Sequence, residues 1–368
     1  MKKKNLCKTL LKTMCIVLGI LILALLAYIV YLYASYYRIE DNQELVVEAP
    51  VDDTTTGAAA VLATGTEYSA VTYNIGFGAY LPDYSFFMDG GTSSWAESPE
   101  TVQYAINGAG ELVKSLDPDF ALIQEIDLDA TRSYHTDEYQ MLRNILPEYT
   151  TVFAQNYDSA FLFYPFTQPH GSSRAGLGLF SKYPVSSALR RSFPISTSFS
   201  KFFDLDRCYS VSRIPVDNGK ELVIFNLHMS AYGNSDEIRK GQIEMLCNDM
   251  AKEYEAGNYV LCGGDFNHDL KASEEDTESC ESWAFPFPRT ELPEHFAFCL
   301  DLLSSEEKES LWNSARNADM EYVPGVTYTV TLDGFIISDN IECLSYENVN
   351  TGYSYSDHDP VKVEFVLR

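Results

Sequence analysis

Basic residues become scarce once the first dozen positions are passed. The chain holds 26 Lys and Arg against 53 Asp and Glu, and five of the 26 (Lys2, Lys3, Lys4, Lys8 and Lys12) lie before residue 13. No later stretch gathers cations into a patch, so a long polyanion meets repulsion over the reach of the Debye length. This counts against a dedicated binder of long nucleic acid, although the same excess of acid also serves plain solubility. Cys-x-x-Cys spacing is absent, which removes the paired-cysteine zinc sites. Of the cysteines, Cys208, Cys247, Cys262, Cys280, Cys299 and Cys343 follow the apolar N-terminal run. Their even number permits disulfides and their irregular spacing dictates none; Cys208 and Cys262 sit in apolar runs where a thiol serves as a small core residue. No internal repeat occurs, which excludes solenoids and propellers. Finally, no charged residue occurs between Thr13 and Tyr37.

That uncharged stretch is the first positive signal. Cys15 to Ala34 is almost continuously apolar, and at about 1.5 Å per residue about 20 residues cross a hydrocarbon core of about 30 Å. Tyr28, Tyr31, Tyr33, Tyr36 and Tyr37 gather at its far end as an aromatic belt, and the Lys cluster at its near end favours a cytoplasmic N-terminus with the rest of the chain outside. A cleaved signal peptide is the rival; the run is longer than the usual apolar region of one, and no small-x-small site follows it. The expected organisation is a basic cytoplasmic tail (1–12), a transmembrane helix (13–37), a stalk rich in Asp, Thr, Gly and Ala (38–66) and one catalytic-size domain (67–368).

Within that domain short apolar runs mix with amphipathic ones. Pro99 to Leu116 is expected to be helical, with Ser98 as N-cap, Pro99 at the first position and Val102, Ile106, Ala109 and Val113 on one face. Further helices are expected at about Asp137 to Leu146 and from Ser235 to about Glu255. Strands are expected at Ser69–Ile75, Phe120–Ile126, Tyr149–Ala154, Leu177–Phe180, Ser210–Pro215, Leu222–Leu227, Tyr259–Gly263, Gly334–Ile337 and Val361–Val366. The absence of a strict β-α-β rhythm suggests two mixed sheets packed face to face with helices outside.

Several strand-like runs end in residues of catalytic type: Asn74 after Val71-Thr-Tyr, Glu125 after Ala121-Leu-Ile-Gln, His228 after Val223-Ile-Phe-Asn-Leu, Asp265 and Asn267 after Val260-Leu-Cys-Gly-Gly, and Asp357 and His358 before Asp359-Pro360. Strand ends on one edge would bring them together. Asp, Glu, Asn and His without Cys offer hard oxygen ligands for Mg²⁺ or Mn²⁺ and imidazoles for protons, which suits phosphoryl chemistry better than acyl chemistry. Singly each is weak: Glu125 is otherwise a surface carboxylate, His228 a core imidazole, and Gly263-Gly264-Asp265 ordinary turn chemistry.

Taken in order, the motifs resemble those of the endonuclease/exonuclease/phosphatase superfamily: Tyr73-Asn74, Gln124-Glu125, Gly178 to Pro184, Asn226-Leu-His228, Gly264-Asp265-Phe-Asn267, Leu332-Asp333 and Ser356 to Pro360. The resemblance covers about residues 68–368. It implies a four-layer α/β/β/α sandwich of two mixed sheets with the active site at one rim. It implies Glu125, Asn74 and Asp357 around the metal, Asp265 as orienter or base for the attacking water, Asn267 holding that water or a phosphate oxygen, His358 polarised by Asp333 against the phosphate, and His228 as acid or phosphate contact. Arg207 resembles a recurrent basic residue of the family, and a structural ion pair explains it equally well.

Departures from that pattern are aromatic. Gly76 to Ser98 inserts Phe77, Tyr80, Tyr84, Phe86, Phe87 and Trp95 before the first helix, and 153–170 and Trp283–Pro288 add two more such stretches. They serve either as core or as a substrate wall or lid. The expected activity is metal-dependent hydrolysis of a phosphoester outside the cytoplasm, with a small or lipid-linked substrate favoured and long nucleic acid the less favoured partner. A surface nuclease and a catalytically idle, tethered binding module are the alternatives.

Overall fold

The structure, a computed structural model, describes residues 2–52, 61–202, 205–231, 236–273 and 284–368. It divides into two units, 1–38 and 39–368. The first is a helix, α1 (Lys2–Ser35), whose Leu6–Ser35 portion is long and apolar enough to cross a membrane, with a mean hydropathy of 2.9; a signal sequence passes the same test.

In chain order the second unit opens with β1 (Gln43–Glu44), β2 (Val47–Glu48) and β3 (Glu67–Asn74). Then come α2 (Pro99–Leu116), β4 (Phe120–Ala130), α3 (Glu138–Ile145), β5 (Thr150–Leu162), β6 (Gly171–Ser181), β7 (Ser187–Ser192), β8 (Cys208–Pro215) and β9 (Glu221–His228). The remainder comprises α4 (Asp236–Glu255), β10 (Tyr259–Asp265), β11 (Phe296–Phe298), α5 (Ser305–Ser310), β12 (Ala315–Arg316), β13 (Thr329–Val330), β14 (Asp333–Ser338), β15 (Ile341–Asn348) and β16 (Val361–Leu367). Two seven-stranded mixed sheets form, in the orders β15-β16-β3-β4-β6-β5-β2 and β1-β7-β8-β9-β10-β14-β11, with β12 and β13 as a small ribbon.

Side-chain alternation explains the layering. Along β4, Phe120 and Leu122 enter the core between the sheets, while Ala121 and Ile123 face the other way, toward α2 and α3. Val102, Ile106, Ala109 and Val113 of α2 bury the face expected of them, and Ser98 caps that helix by accepting from Thr101 N–H. On the far side, α4 packs Ile243, Leu246 and Met250 against the second sheet, completing helix, sheet, sheet, helix. The expected helix start at Ser235 lies outside the described residues.

The stalk expected at 38–66 needs correction. β1 pairs with β7 at one edge of the second sheet, β2 pairs with β5 at one edge of the first, and Leu62 is fully buried in the core. These strands are two residues long, below what sequence periodicity detects. Residues 53–60 of that segment lie outside the described residues. Gly263 and Gly264 are not a turn either: they lie inside β10, where a Cβ on Gly264 would meet the Leu227 carbonyl oxygen at 2.1 Å and one on Gly263 the Phe335 ring at 2.4 Å. The cysteines of the described residues are free thiols, with Cys208 and Cys262 buried; Cys280 lies outside them.

Candidate active site

Strand register assembles half of the site. β10 runs parallel to β9 and antiparallel to β14, and on one rung Asp265 lies opposite His228 on one side and Asp333 on the other. In the facing sheet Asn74, at the end of β3, lies opposite Gln124 of β4. Glu125 comes next, at a bulge where the pairing with β6 skips from Ile123 to Ile126, and its φ is +57°. A bulge re-aims a side chain, and a non-glycine residue in this region costs on the order of 1 kcal/mol.

Amides hold the halves together. Gln124 Nε2 donates to Asn226 Oδ1 at 2.8 Å, joining the sheets beneath the site, and Asn226 Nδ2 donates to the Gly178 carbonyl at 3.0 Å. Asn74 Nδ2 donates to Glu125 Oε1 and to Asp265 Oδ2, both at 3.1 Å. Its Oδ1 accepts from Gly76 N–H at 3.0 Å. The sequence suggests Asn74 as a metal ligand; its nitrogen faces the Glu125 and Asp265 carboxylates.

The 356–358 turn closes the site. Ser356 Oγ donates to the Asn74 carbonyl at 2.9 Å, and Arg316 N–H donates to the Asp357 carbonyl at 2.9 Å. His358 Nδ1 lies 2.7 Å from Asp333 Oδ2, which also accepts from Ser314 Oγ at 2.7 Å. His228 Nε2 lies 3.5 Å from Asp265 Oδ2 and 3.9 Å from Glu125 Oε1. Asn267, with φ +50°, donates its backbone N–H to Asp265 Oδ1 at 2.8 Å and its Nδ2 to the Met229 carbonyl at 3.0 Å. All eight residues singled out from the sequence thus meet in one place: Glu125, His228, Asp265, Asn267, Asp357 and His358 line a cavity of about 420 Å³, with Asn74 and Asp333 bonded to them.

Electrostatics divides the roles. Burial, with the nearby charge of Asp333, pushes the Asp265 carboxyl up to about 7 against the pull of His358. Burial works against a charged His358, yet the charge and hydrogen bond of Asp333 and the charge of Asp265 raise it well above the usual imidazole range, so it is an imidazolium at neutral pH. Burial, aided by the charges of Arg207, His358 and Arg132, holds His228 well below that range and neutral. Burial raises Asp357; His358 and Arg316 oppose this, and the like charge of Glu125 adds to it.

That repulsion between Glu125 and Asp357 is what a divalent cation would relieve, and an all-oxygen pair fits Mg²⁺ or Mn²⁺. Asp265, Asp333 and His358 also bring ligand atoms within 4.8 Å of one another, but their shortest contact is the proton-sharing bond of Asp333 and His358. Arg132, His170 and Arg316, which the sequence did not single out, complete the walls together with Tyr157 of the 153–170 aromatic stretch. The first three belong to none of the motifs.

The family profile of the endonuclease/exonuclease/phosphatase family matches residues 71–301, more than half of the chain. No curated protein matches by sequence. Among solved structures, an endonuclease/exonuclease/phosphatase from Beutenbergia cavernae superposes with a TM-score of 0.54 at 15% identity, covering 82% of this chain and 72% of that one. One from Bacteroides vulgatus gives 0.53 at 17%, covering 82% and 100%. ANGEL2, a 2′,3′-cyclic phosphatase bound to adenosine-2′,3′-vanadate, gives 0.56 at 12%, covering 82% and 96%. With that profile matched over most of the folded unit, the chain belongs to the endonuclease/exonuclease/phosphatase family.

Proposed function

We propose that this chain is a divalent-metal-dependent phosphoesterase acting outside the cytoplasm on a small or lipid-linked phosphoester. The observation that carries the reading is the meeting of an imidazolium, a carboxyl poised near neutrality and two mutually repelling carboxylates in one cavity. Glu125 and Asp357 would hold the ion, which when bound supplies a Lewis acid for charge on the phosphate. Asn74 keeps Glu125 and Asp265 in place. Asp265 accepts the proton of the attacking water, a task for which a carboxyl near 7 suits physiological pH. Asn267 orients that water or a phosphate oxygen. Asp333 holds the His358 imidazolium against the phosphate, where it offsets the negative charge that grows in the transition state. His228, neutral, would donate a hydrogen bond to a phosphate oxygen.

The location rests on the Lys cluster ahead of the uncharged 13–37 stretch. A nuclease is the second reading: one structural neighbour, TDP2 from D. rerio, was solved with a single-stranded DNA product. The acidic surface weighs against it. The test is the full chain in detergent with Mg²⁺ against a panel of phosphomonoesters, phosphodiesters and oligonucleotides. Glu125→Ala and His358→Ala are each expected to lower kcat/KM by about 10³-fold, several kcal/mol of transition-state stabilisation; wild-type rates in both would refute the site. Oligonucleotide cleavage that falls steeply with salt, with no turnover of small esters, would favour the nuclease.

A further inference from the structure

β1 and β2 cover one edge of each sheet, and the remaining two edges are β11 in the second sheet and β15 in the first. Each of these edges brings a cysteine. Cys299 opens the single helical turn Cys299–Leu302 that follows β11, and it is buried in the core between the sheets. Cys343 lies on β15, opposite Phe365 of β16. Ile341 and Cys343 share the inward face of β15, and the register then slips between Cys343 and Ser345, so that Tyr346 also turns inward. Cys343 is half-buried and packs against the core that contains Cys299.

The two thiols meet where the sheet edges face each other. The turn after β11 packs on β15, and the Cys299 thiol donates a hydrogen bond to the Cys343 sulfur. Cys343 Sγ in turn donates to the Ser345 carbonyl at 3.4 Å. The bond between the thiols, with burial, pushes Cys299 well above the usual thiol range, and the same bond holds Cys343 below it. The pair is therefore asymmetric: a sulfur with thiolate character within reach of solvent, and a protonated thiol directly behind it. Neither residue lines the catalytic cavity. A single buried thiol is a core filler, whereas two in contact are a dithiol.

We propose that Cys299 and Cys343 are the two ends of a disulfide that staples the open edge of one sheet to the open edge of the other. The oxidant is an external organic disulfide such as oxidised glutathione. The Cys343 thiolate attacks one of its sulfurs, expels a thiolate and becomes a mixed disulfide. Cys299 then gives up its proton to solvent, attacks the Cys343 sulfur and expels the second thiolate. Two cysteines lose two electrons and two protons, and the external disulfide gains both to become two thiols. The location proposed above, outside the cytoplasm, is where such a bond persists. The inference does not use the phosphoesterase reading. The closed loop, 300–342, holds Ser314, Arg316 and Asp333, so the link also restricts site residues in the unfolded chain.

The full chain in detergent, reduced and then equilibrated with oxidised glutathione, should lose two hydrogens by intact mass. Its non-reducing peptide map should show Cys299 joined to Cys343, with Cys208, Cys247 and Cys262 still open to alkylation once the chain is unfolded. The melting temperature should rise by about 5 °C over that of the reduced chain. Cys343→Ser should abolish both the link and the rise. Cys299→Ala should instead leave one glutathione on Cys343, which a thiol that only fills space would not take up. Cys299 and Cys343 both alkylated after oxidation, either of them joined to Cys280, a glutathione adduct on wild-type Cys343 that never resolves, or a link that leaves the melting temperature unmoved would each overturn the staple.

Discussion

The two halves of the site are built by different means. His228, Asp265 and Asp333 share one rung of β9, β10 and β14, so ordinary ladder hydrogen bonds fix their spacing. Glu125 in the facing sheet is placed by a break in the ladder, at a bulge with φ +57°. The regular half carries one carboxyl pushed up to about 7, Asp265, and through Asp333 keeps the His358 imidazole of the neighbouring turn charged. The irregular half concentrates negative charge, which His358 and Arg316 offset only in part. Register is cheap and rigid, whereas aiming a carboxylate into a gap between sheets needs local strain.

Breaking the regular half should have the larger effect on the pH–rate profile. Asp333→Asn removes the charge that keeps His358 protonated, so kcat/KM is expected to fall by about 100-fold. Because Asp333 raises the His358 pKa, its loss lets the imidazolium deprotonate at lower pH, and the alkaline limb of the pH–rate profile should move toward acid. A profile that keeps its alkaline limb would show that His358 does not act as the cation. Next in size, Gln124→Leu leaves the buried Asn226 amide without its partner between the sheets. The expected loss is about 1–3 kcal/mol of stability, read by chemical denaturation, with activity falling as the two halves drift. An unchanged midpoint would mean the sheets need no such clamp. The smallest change in stability belongs to the irregular half: Glu125→Gly, which should abolish turnover, relieves both the positive φ and the repulsion with Asp357, so stability is expected to rise by about 1 kcal/mol. A lower melting temperature would show that the bulge is not strained.

The same contrast governs what the sequence could reveal. The α2 signals (Ser98, Pro99 and the Val102–Val113 face) are local, and the helix begins and ends where they place it. Central strands such as β3, β4, β9 and β10 are legible because both faces are buried and the runs are apolar. β7, β11 and β15 were not foreseen: β7 carries two arginines, β11 is three residues long and β15 is a half-exposed edge strand. The eight site residues were legible because each ends a run or sits in a motif, and their order resembles the family's. Asp89, His170 and Arg316 line the cavity only because the fold brings the β3–α2 insertion, the β5–β6 connection and β12 to it. The aromatic stretches divided as well: Phe77, Tyr80 and Phe86 are buried beside the cavity, whereas Phe163, Tyr164 and Phe166 are exposed.

The two short strands that follow the N-terminal helix clip one open edge on each sheet. A soluble version trimmed back to residue 67 would bare both β7 and β5 along those edges and remove Leu62 from the interior. Unpaired edges of this kind recruit other chains. A cut near residue 38 therefore leaves both edges covered, and every cut further along trades solubility for self-association.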